Sequence, residues 1–490
     1  MKNTKITLAL ILILSSLGFA QNEVDALRYS QNTTLGTARF SAMGGAFGSL
    51  GGDMSSLHFN PAGIGIYRSS EMTFTPTLIM NNTNSDHFGT MSRATKASLK
   101  LTNIGIVLAN VKSEGAGWEA TQIGFTYRKS NHFSNRLNIS GINPSSSLLQ
   151  SYTNSIQGLS SSEIGSNYGF GAGLAWNTYL INPIDTIDTT TYTAIASNGG
   201  TNQEKFILKK GGVNDFSLTI GANYRNKVFI GGSMGFPYVN YKEEATHTET
   251  DINDTIPYFS SFTLNEAFHT YGTGINIKLG VIIKPVDWLR IGGAFHSPTY
   301  FKLTDQYNSS MSAEFDSIPE FSTQSALSYT SNSPEGVFDY SIATPMRLMS
   351  SMSCIIGKKG LISVDYEWAD YSSALLESSN YGFTAANSAI NSKYTGASTL
   401  RVGTEWRLLP FSFRAGYVSE ESPYVNLGTS GSKQSYSCGF GIREQYFFFD
   451  LAYVYTTTDK EYYLYNLESL QPTNNTLESH QVVTTIGLRF

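Results

Sequence analysis

From Leu400 onward, apolar and polar residues alternate with a period of two. Leu400, Val402, Thr404, Trp406 and Leu408 fall on one side and Arg401, Gly403, Glu405 and Arg407 on the other. The same pattern runs through Ile362, Val364, Tyr366 and Trp368 against Ser363, Asp365 and Glu367. It recurs through Phe411, Phe413, Ala415 and Tyr417 against Ser412, Arg414 and Gly416, and again in Tyr436–Ile442 and Phe447–Tyr455. Successive side chains of a strand point to opposite faces, so each segment predicts a strand with one greasy and one polar side. The last one, Val482, Thr484, Ile486, Leu488 and Phe490, ends the chain on an aromatic residue of its apolar face. That ending resembles the C-terminal signal read by the machinery that assembles outer-membrane barrels.

Spacing gives the architecture. Short links are expected at 112–117, 225–227, 284–287, 357–360, 409–410 and 444–445. Long polar stretches separate them at 81–95, 143–210, 251–261, 309–334, 372–396, 420–432 and 457–478. Short periplasmic turns alternating with long outer loops are the habit of transmembrane barrels. Six turns and seven loops predict an all-β fold: a 14-stranded transmembrane antiparallel β-barrel spanning 70–490, its first strand near Glu71–Met80. In the largest loop, 143–210, Leu148, Leu149, Tyr152, Ile156 and Leu159 have helical spacing. They predict one or two short amphipathic helices that either form an external landing patch or pack on the rim.

Residues 1–20 read as a signal peptide. Lys2 and Lys5 precede a short apolar run from Ile6 to Leu14, and small residues lead to Ala20. Residues 21–69 do not alternate; they are Gly-rich and moderately apolar. A barrel of this size encloses more space than its own side chains fill, so this segment is expected to fold inward as a plug, or hatch.

Composition narrows the class. Charged residues are only 14% of the chain, against the quarter usual in soluble domains, and aromatic residues are 13%. Net charge is -5 and becomes -7 when Lys2 and Lys5 are removed, which does not favour nucleic acid as a partner. Cys354 and Cys438 are expected to be free thiols. The seven histidines (His58, His87, His132, His247, His269, His296 and His480) form no catalytic phrase and no metal-ligand spacing. No enzyme, metal or cofactor is expected.

The phrase Met43–Phe47, followed by Asp53 and then by Asn60, Pro61, Ala62 and Gly63, resembles the hatch of the FadL/TodX family of outer-membrane transport proteins for hydrophobic compounds. Further similarity lies in Thr344–Arg347, Val364–Tyr371, Arg401–Trp406, and Arg414–Tyr417 with Ser422 and Pro423 behind it. The resemblance implies a 14-stranded barrel with an N-terminal hatch, placed as a monomer in the outer membrane of a Gram-negative bacterium. It also implies passive passage of small hydrophobic compounds such as long-chain fatty acids or aromatic hydrocarbons, leaving as the hatch shifts or sideways through a gap in the wall. Expected partners are the apolar ligand, outer-membrane lipid and lipopolysaccharide, and the barrel-assembly machinery. The alternative within the same superfamily is a surface interaction barrel, either a secretion-system cargo shuttle or a haem receptor; an outer-membrane enzyme is the remote one.

From the hatch motif, Asn60, Pro61 and Ala62 are assigned a gating or structural role. The polar strand faces place Arg290, Arg347, Asp365, Glu367, Arg401, Glu405, Arg407, Arg414, Arg443, Asp450 and Arg489 in the lumen. There they either brace the barrel or, for Arg347, Arg401 and Arg414 as candidates, receive a ligand carboxylate. Finally, Asp-Thr or Asp-Ser followed by an aliphatic residue or Thr occurs around Thr186, Thr189, Thr255 and Ser317. These phrases resemble an O-glycosylation acceptor used on exported proteins; ordinary turn chemistry is the competing account.

Overall fold

The computed structural model describes residues 22–112, 117–196, 198–316, 327–357, 359–425 and 430–490. The signal-peptide assignment and Ser317 lie outside them. The wall is built from β1 (Glu71–His87), β2 (Thr90–Val111), β3 (Trp118–His132, continued by Asn135–Asn143), β4 (Thr201–Tyr224), β5 (Val228–Thr250) and β6 (Phe259–Val286). It continues with β7 (Leu289–His296 and Tyr300–Phe315), β8 (Leu327–Asn332, Gly336–Ala343 and Arg347–Ile356), β9 (Gly360–Asp370), β10 (Gly396–Leu408), β11 (Phe411–Glu420), β12 (Lys433–Arg443), β13 (Phe447–Tyr462) and β14 (Thr473–Arg489). Each strand pairs antiparallel with the next. β14 returns to β1 in a register running from Glu71 opposite Arg489 to Asp86 opposite Asn474. The sheet is therefore a closed 14-stranded barrel. Its seam is completed by two backbone hydrogen bonds between Ser70 and Phe490, at 3.0 and 3.1 Å.

Alternation sorts the two faces as expected. On β10 the outward Leu400 and Trp406 are exposed, while Arg401 and Glu405 between them are buried in the lumen. Met72, Phe74, Phe125, Phe216, Ile277, Leu279, Phe413, Ile486 and Leu488 extend the exposed apolar surface round the outside of the barrel. Such a belt is unstable in water and suited to lipid. Among the described residues no helix is long and apolar enough to cross a membrane. Cys354 and Cys438 are free.

The strands run further than the alternation suggests. Residues 81–95, expected as a loop, are the upper part of a β1–β2 hairpin that turns at Phe88 and Gly89, both with positive φ. Thr201–Lys210 likewise belongs to β4. β6 has 28 residues, whereas about 10 suffice to cross the hydrocarbon of a bilayer. Beyond the apolar belt the outward faces turn mostly polar and apolar residues such as Phe259, Phe262 and Leu264 face inward to the loop helices, so regular alternation fades while main-chain pairing continues. Cross-strand ion pairs such as Lys210–Glu244 (3.0 Å) and Lys205–Glu266 (3.0 Å) support the extension.

The long loop between β3 and β4 holds three short helices, Leu148–Ile156, Ser161–Asn167 and Ala172–Asn177. Their apolar faces are buried against Phe259, Phe262, Met311 and Leu464. They therefore pack on the rim, and no landing patch is formed by Leu148, Leu149 or Ile156.

Candidate functional site

Residues 22–69 occupy the lumen. A helix at Glu23–Ser30, capped by Asn22, is followed by a short helix at Ala38–Ala42 and two 3₁₀ turns, Met54–His58 and Pro61–Ile66. From Leu35 to Gly65 every residue except Gly52 is buried. Three kinds of contact hold the segment there.

The first is backbone approach to glycines in the wall. A β-carbon on Gly231 would collide with the Pro61 carbonyl, one on Gly280 with Asn60 Oδ1, one on Gly403 with the Met43 carbonyl, and one on Gly416 with Gly44 N. These inward positions on β5, β6, β10 and β11 are seats into which the hatch backbone fits because no side chain stands in the way.

The second is a charge lattice. Glu405 accepts from Arg39 Nε and Arg414 Nε, each at 2.7 Å. Arg414 also reaches Asp450 at 2.6 Å, and Glu367 bridges Arg347 and Arg401. Arg39 belongs to the hatch and Glu405 to β10, so this pair ties one to the other. The three arginines singled out from sequence are thus inside the barrel, each facing a carboxylate of the chain itself.

The third is a set of polar contacts to buried hatch atoms. Asn60 donates through Nδ2 to the Gly48 carbonyl (2.6 Å), and its Oδ1 accepts from Ala62 N (3.1 Å). Pro61 opens the 3₁₀ turn, where its missing N–H costs nothing. Ala62 packs on Phe229 and Ile282. His58 lies between Thr126 Oγ1 (3.0 Å) and Ser217 Oγ (3.3 Å), beside an Asp215–Lys278 pair at 2.7 Å. Arg128 donates to the Leu35 carbonyl at 2.8 Å and lies over the Phe59 ring. Sequence reading missed Arg39, His58 and Arg128. The available signal was charged or titratable residues inside a glycine-rich, otherwise apolar stretch and on the inward face of a strand.

Above the hatch, on the long-loop side, lies a cavity of about 370 Å³. Leu27 and Leu35 of the hatch face it, as do Phe133, Leu137, Ile207, Val454 and Leu477 of the wall. Arg28, Lys209, Lys433 and Lys460 add positive charge. Lys433 is paired with Glu420 at 3.1 Å and Lys209 with Glu243 at 3.4 Å; Lys460 has no ion pair among the described residues. Apolar surface predominates in the chamber, but polar residues, Glu420, Glu461 and Glu478 among them, are the majority of its lining; a largely apolar surface with polar groups to orient a ligand is the make-up of a small-molecule site.

The hydrogen-bonded pairing of β2 with β3 is incomplete beside this cavity, where Asn135–Asn143 packs against β1 without pairing to it. β2 and β3 pair from Val111–Ala120 up to Asn103–Arg128 and no further. Above that point Thr90–Leu101 stays with β1, and most of the upper half of β3 stays with β4. β3 is interrupted at Phe133 and Ser134, where Asn81 Nδ2 of β1 bonds the Ser134 carbonyl at 2.6 Å. Phe133, Ser134, Asn135 and Leu137 both border the parting and line the cavity.

The proposed glycan acceptors Thr186, Thr189 and Thr255 are all exposed on loops. Asp185 Oδ1 accepts from Ile187 N and Asp188 N, and Asp188 accepts from Thr190 and Thr191. These bonds hold the Asp188 carboxyl down at about 2.

No protein-family model matches the chain, and no curated protein sequence matches it. Solved structures do. A FadL homologue from Pseudomonas aeruginosa superposes with a TM-score of 0.55 at 12% identity, covering 94% of this chain and 100% of that one. The Pseudomonas putida toluene transporter TodX gives 0.51 at 11% identity, covering 94% and 100%. A deltaS2 mutant of the TodX monoaromatic hydrocarbon channel gives 0.51 at 12% identity, covering 93% and 99%. With a closed 14-stranded wall, an N-terminal segment inside it and superposition over nearly its whole length, this chain has the fold of the FadL/TodX outer-membrane transport proteins.

Proposed function

We propose that the protein is an outer-membrane channel that lets small hydrophobic compounds pass by diffusion. The observation that carries this reading is the apolar cavity above the hatch placed directly against the unpaired stretch of β2 and β3. A greasy solute in that cavity has two neighbours of matching polarity, the apolar part of the chamber wall and the upper edge of the apolar belt, where Leu78, Met80 and Leu99 are exposed at the foot of the parting. The polar lipopolysaccharide layer is thereby bypassed, and the solute enters the bilayer sideways. In this reading Asn60, Pro61 and Ala62 hold the hatch against β5 and β6, and Arg347, Arg401 and Arg414 are braces for the hatch and wall. The solved neighbours named as toluene transporter and hydrocarbon channel support the substrate class. The choice between fatty acids and aromatic hydrocarbons belongs to experiment.

The test is mass spectrometry of small apolar molecules that copurify with the barrel, together with uptake in a strain lacking it. Copurifying lipophilic solutes and slower uptake of an apolar compound, restored by the wild-type gene, are expected. Unchanged uptake, or a pull-down dominated by a secreted protein, would overturn transport in favour of a surface interaction role.

A further inference from the structure

Beneath the hatch, at the short-turn end of the barrel, lies a second and chemically opposite cavity. It is a bowl of about 470 Å³. Arg39 and Arg68 enter it from the hatch segment, and Arg290, Arg407, Arg443 and Arg489 from the wall. The carboxylates that answer them are few. Glu71 pairs with Arg489 at 2.9 Å, Glu405 with Arg39 and Arg407 at 2.7 Å, and Asp450 with Arg443 at 3.4 Å. Glu405 and Asp450 are also shared with Arg414. Among the described residues, then, five guanidinium groups share three carboxylates, with Asp53 near Arg39 and Arg443, while Arg68 bonds Asn226 and neither it nor Arg290 has a carboxylate partner.

Arg68 and Arg407 are exposed at the rim, but the rest of the surplus is withdrawn from open water. Arg290 has no carboxylate partner; its one hydrogen bond goes to the Leu50 carbonyl at 2.8 Å. Nε of Arg290 and Nε of Arg443 are buried and donate to nothing in the protein. Arg443 and Arg489 both lie over the Phe448 ring, at 4.9 and 5.1 Å, which gathers two like charges at one aromatic side chain. Positive groups collected on low-dielectric walls focus the field and attract anions.

The donor set also indicates which anion. A monocarboxylate satisfies one guanidinium fork. Several forks arriving from different sides of a bowl suit a tetrahedral, multiply charged oxyanion that accepts from more than one of them. We propose that this bowl is a binding site for a phosphate group, held between hatch and wall. Arg39 and Arg68 belong to one and the remaining arginines to the other, so a bound phosphate pins the hatch from below. The inference concerns the opposite end of the lumen from the apolar cavity and stands or falls separately from the transport reading.

The same chemistry is offered by a free phosphate ester and by a phospholipid headgroup, and the experiment separates them. The mature barrel in neutral detergent is titrated with inorganic phosphate, then with sodium chloride at matched ionic strength, while its heat-modifiability midpoint is followed. In a second arm it is mixed with phosphatidylglycerol and weighed by native mass spectrometry. Saturable stabilisation by phosphate and not by chloride is expected. The apparent affinity should fall about tenfold in Arg290→Gln and in Arg407→Gln, with Arg290→Lys intermediate. Arg407 is 43% exposed at the rim, so its variant folds even if Arg290→Gln does not. Retention of one phosphatidylglycerol, lost in the variants, would identify a headgroup as the source; phosphate binding without lipid retention would identify a free anion. Equal effects of phosphate and chloride with no lipid retained, or unchanged binding in Arg407→Gln, would overturn the proposal.

Discussion

The lower and upper halves of the lumen solve opposite problems. Below, the hatch backbone is pressed against glycines of the wall and Arg39 is tied to the inward Glu405, so the hatch is fixed in place above the basic bowl. Above, the wall parts between β2 and β3, an apolar cavity remains open, and the closing contacts come from loops. The contrast teaches that closure and passage are built from different materials in one barrel. Closure uses backbone contact and buried ion pairs, which are costly to rearrange. Passage uses an unpaired strand edge and apolar side chains, which give way easily.

The comparison breaks with the largest functional effect at the seats, where the expected result is an open pore. Replacing Gly280 with Val puts a branched side chain where Asn60 Oδ1 lies. Overpacking against a fixed backbone costs about 1–3 kcal/mol or more. We expect the hatch to lift, read as steady conductance in planar bilayers and as sensitivity of cells to polar antibiotics. A closed, non-conducting Gly280→Val barrel would show that the seats are not what holds the hatch. Glu405→Gln comes next, because it leaves Arg39 and Arg414 facing each other without the carboxylate between them. Breaking a buried ion pair costs about 3–5 kcal/mol. The lower half should become labile, with faster amide exchange across 37–60, while the loop helices on the rim keep their protection.

For the upper half, Ser134→Trp fills the parting where β3 is interrupted. Uptake of an apolar compound should fall several-fold with the heat-modifiability midpoint unchanged, whereas a matching loss of stability would mean that the wall, and not the passage, had been altered. Pro61→Ala sharpens the boundary between the halves. It frees one turn of the hatch next to β5 without touching the lattice, so assembly should be intact and uptake changed. Unchanged uptake would place gating elsewhere.

Much of this architecture was legible in the alternation of strands such as Leu400–Leu408 and in the spacing of turns, because the bilayer imposes a period-two pattern and short turns on one side. Where lipid no longer acts, legibility fell. The upper reaches of β1, β2 and β4 look like polar loop and are strand, since main-chain pairing leaves no mark on side-chain composition. The hatch was readable as compact and glycine-rich. Its seats were not, because Gly231, Gly280 and Gly403 acquire meaning only through the hatch backbone opposite them. Arg347, Arg401 and Arg414 were readable as inward, but their partners Glu367, Glu405 and Asp450 depend on register between strands. The basic bowl was hidden for the same reason: its arginines are scattered from Arg39 to Arg489 and meet only when the barrel closes.

The smallest expected effect lies furthest out, on the loops. Thr186 and Thr189 sit in a short hairpin of the β3–β4 loop whose Asp185 and Asp188 carboxylates already accept local backbone N–H groups, which is the chemistry of Asx turns. A glycan on Thr186, Thr189 or Thr255 requires an exposed acceptor, and exposure is met at all three. We therefore expect the native protein to carry added hexose or deoxyhexose, with Thr186→Ala and Thr189→Ala each removing one increment. Because these side chains support no core contact, each substitution should move stability by no more than about 0.5 kcal/mol. Intact-mass measurement decides it. A native mass equal to the unmodified chain from Gln21 to Phe490 would leave these phrases as turn chemistry alone, and a glycan that persists in all the alanine variants would move the acceptor elsewhere.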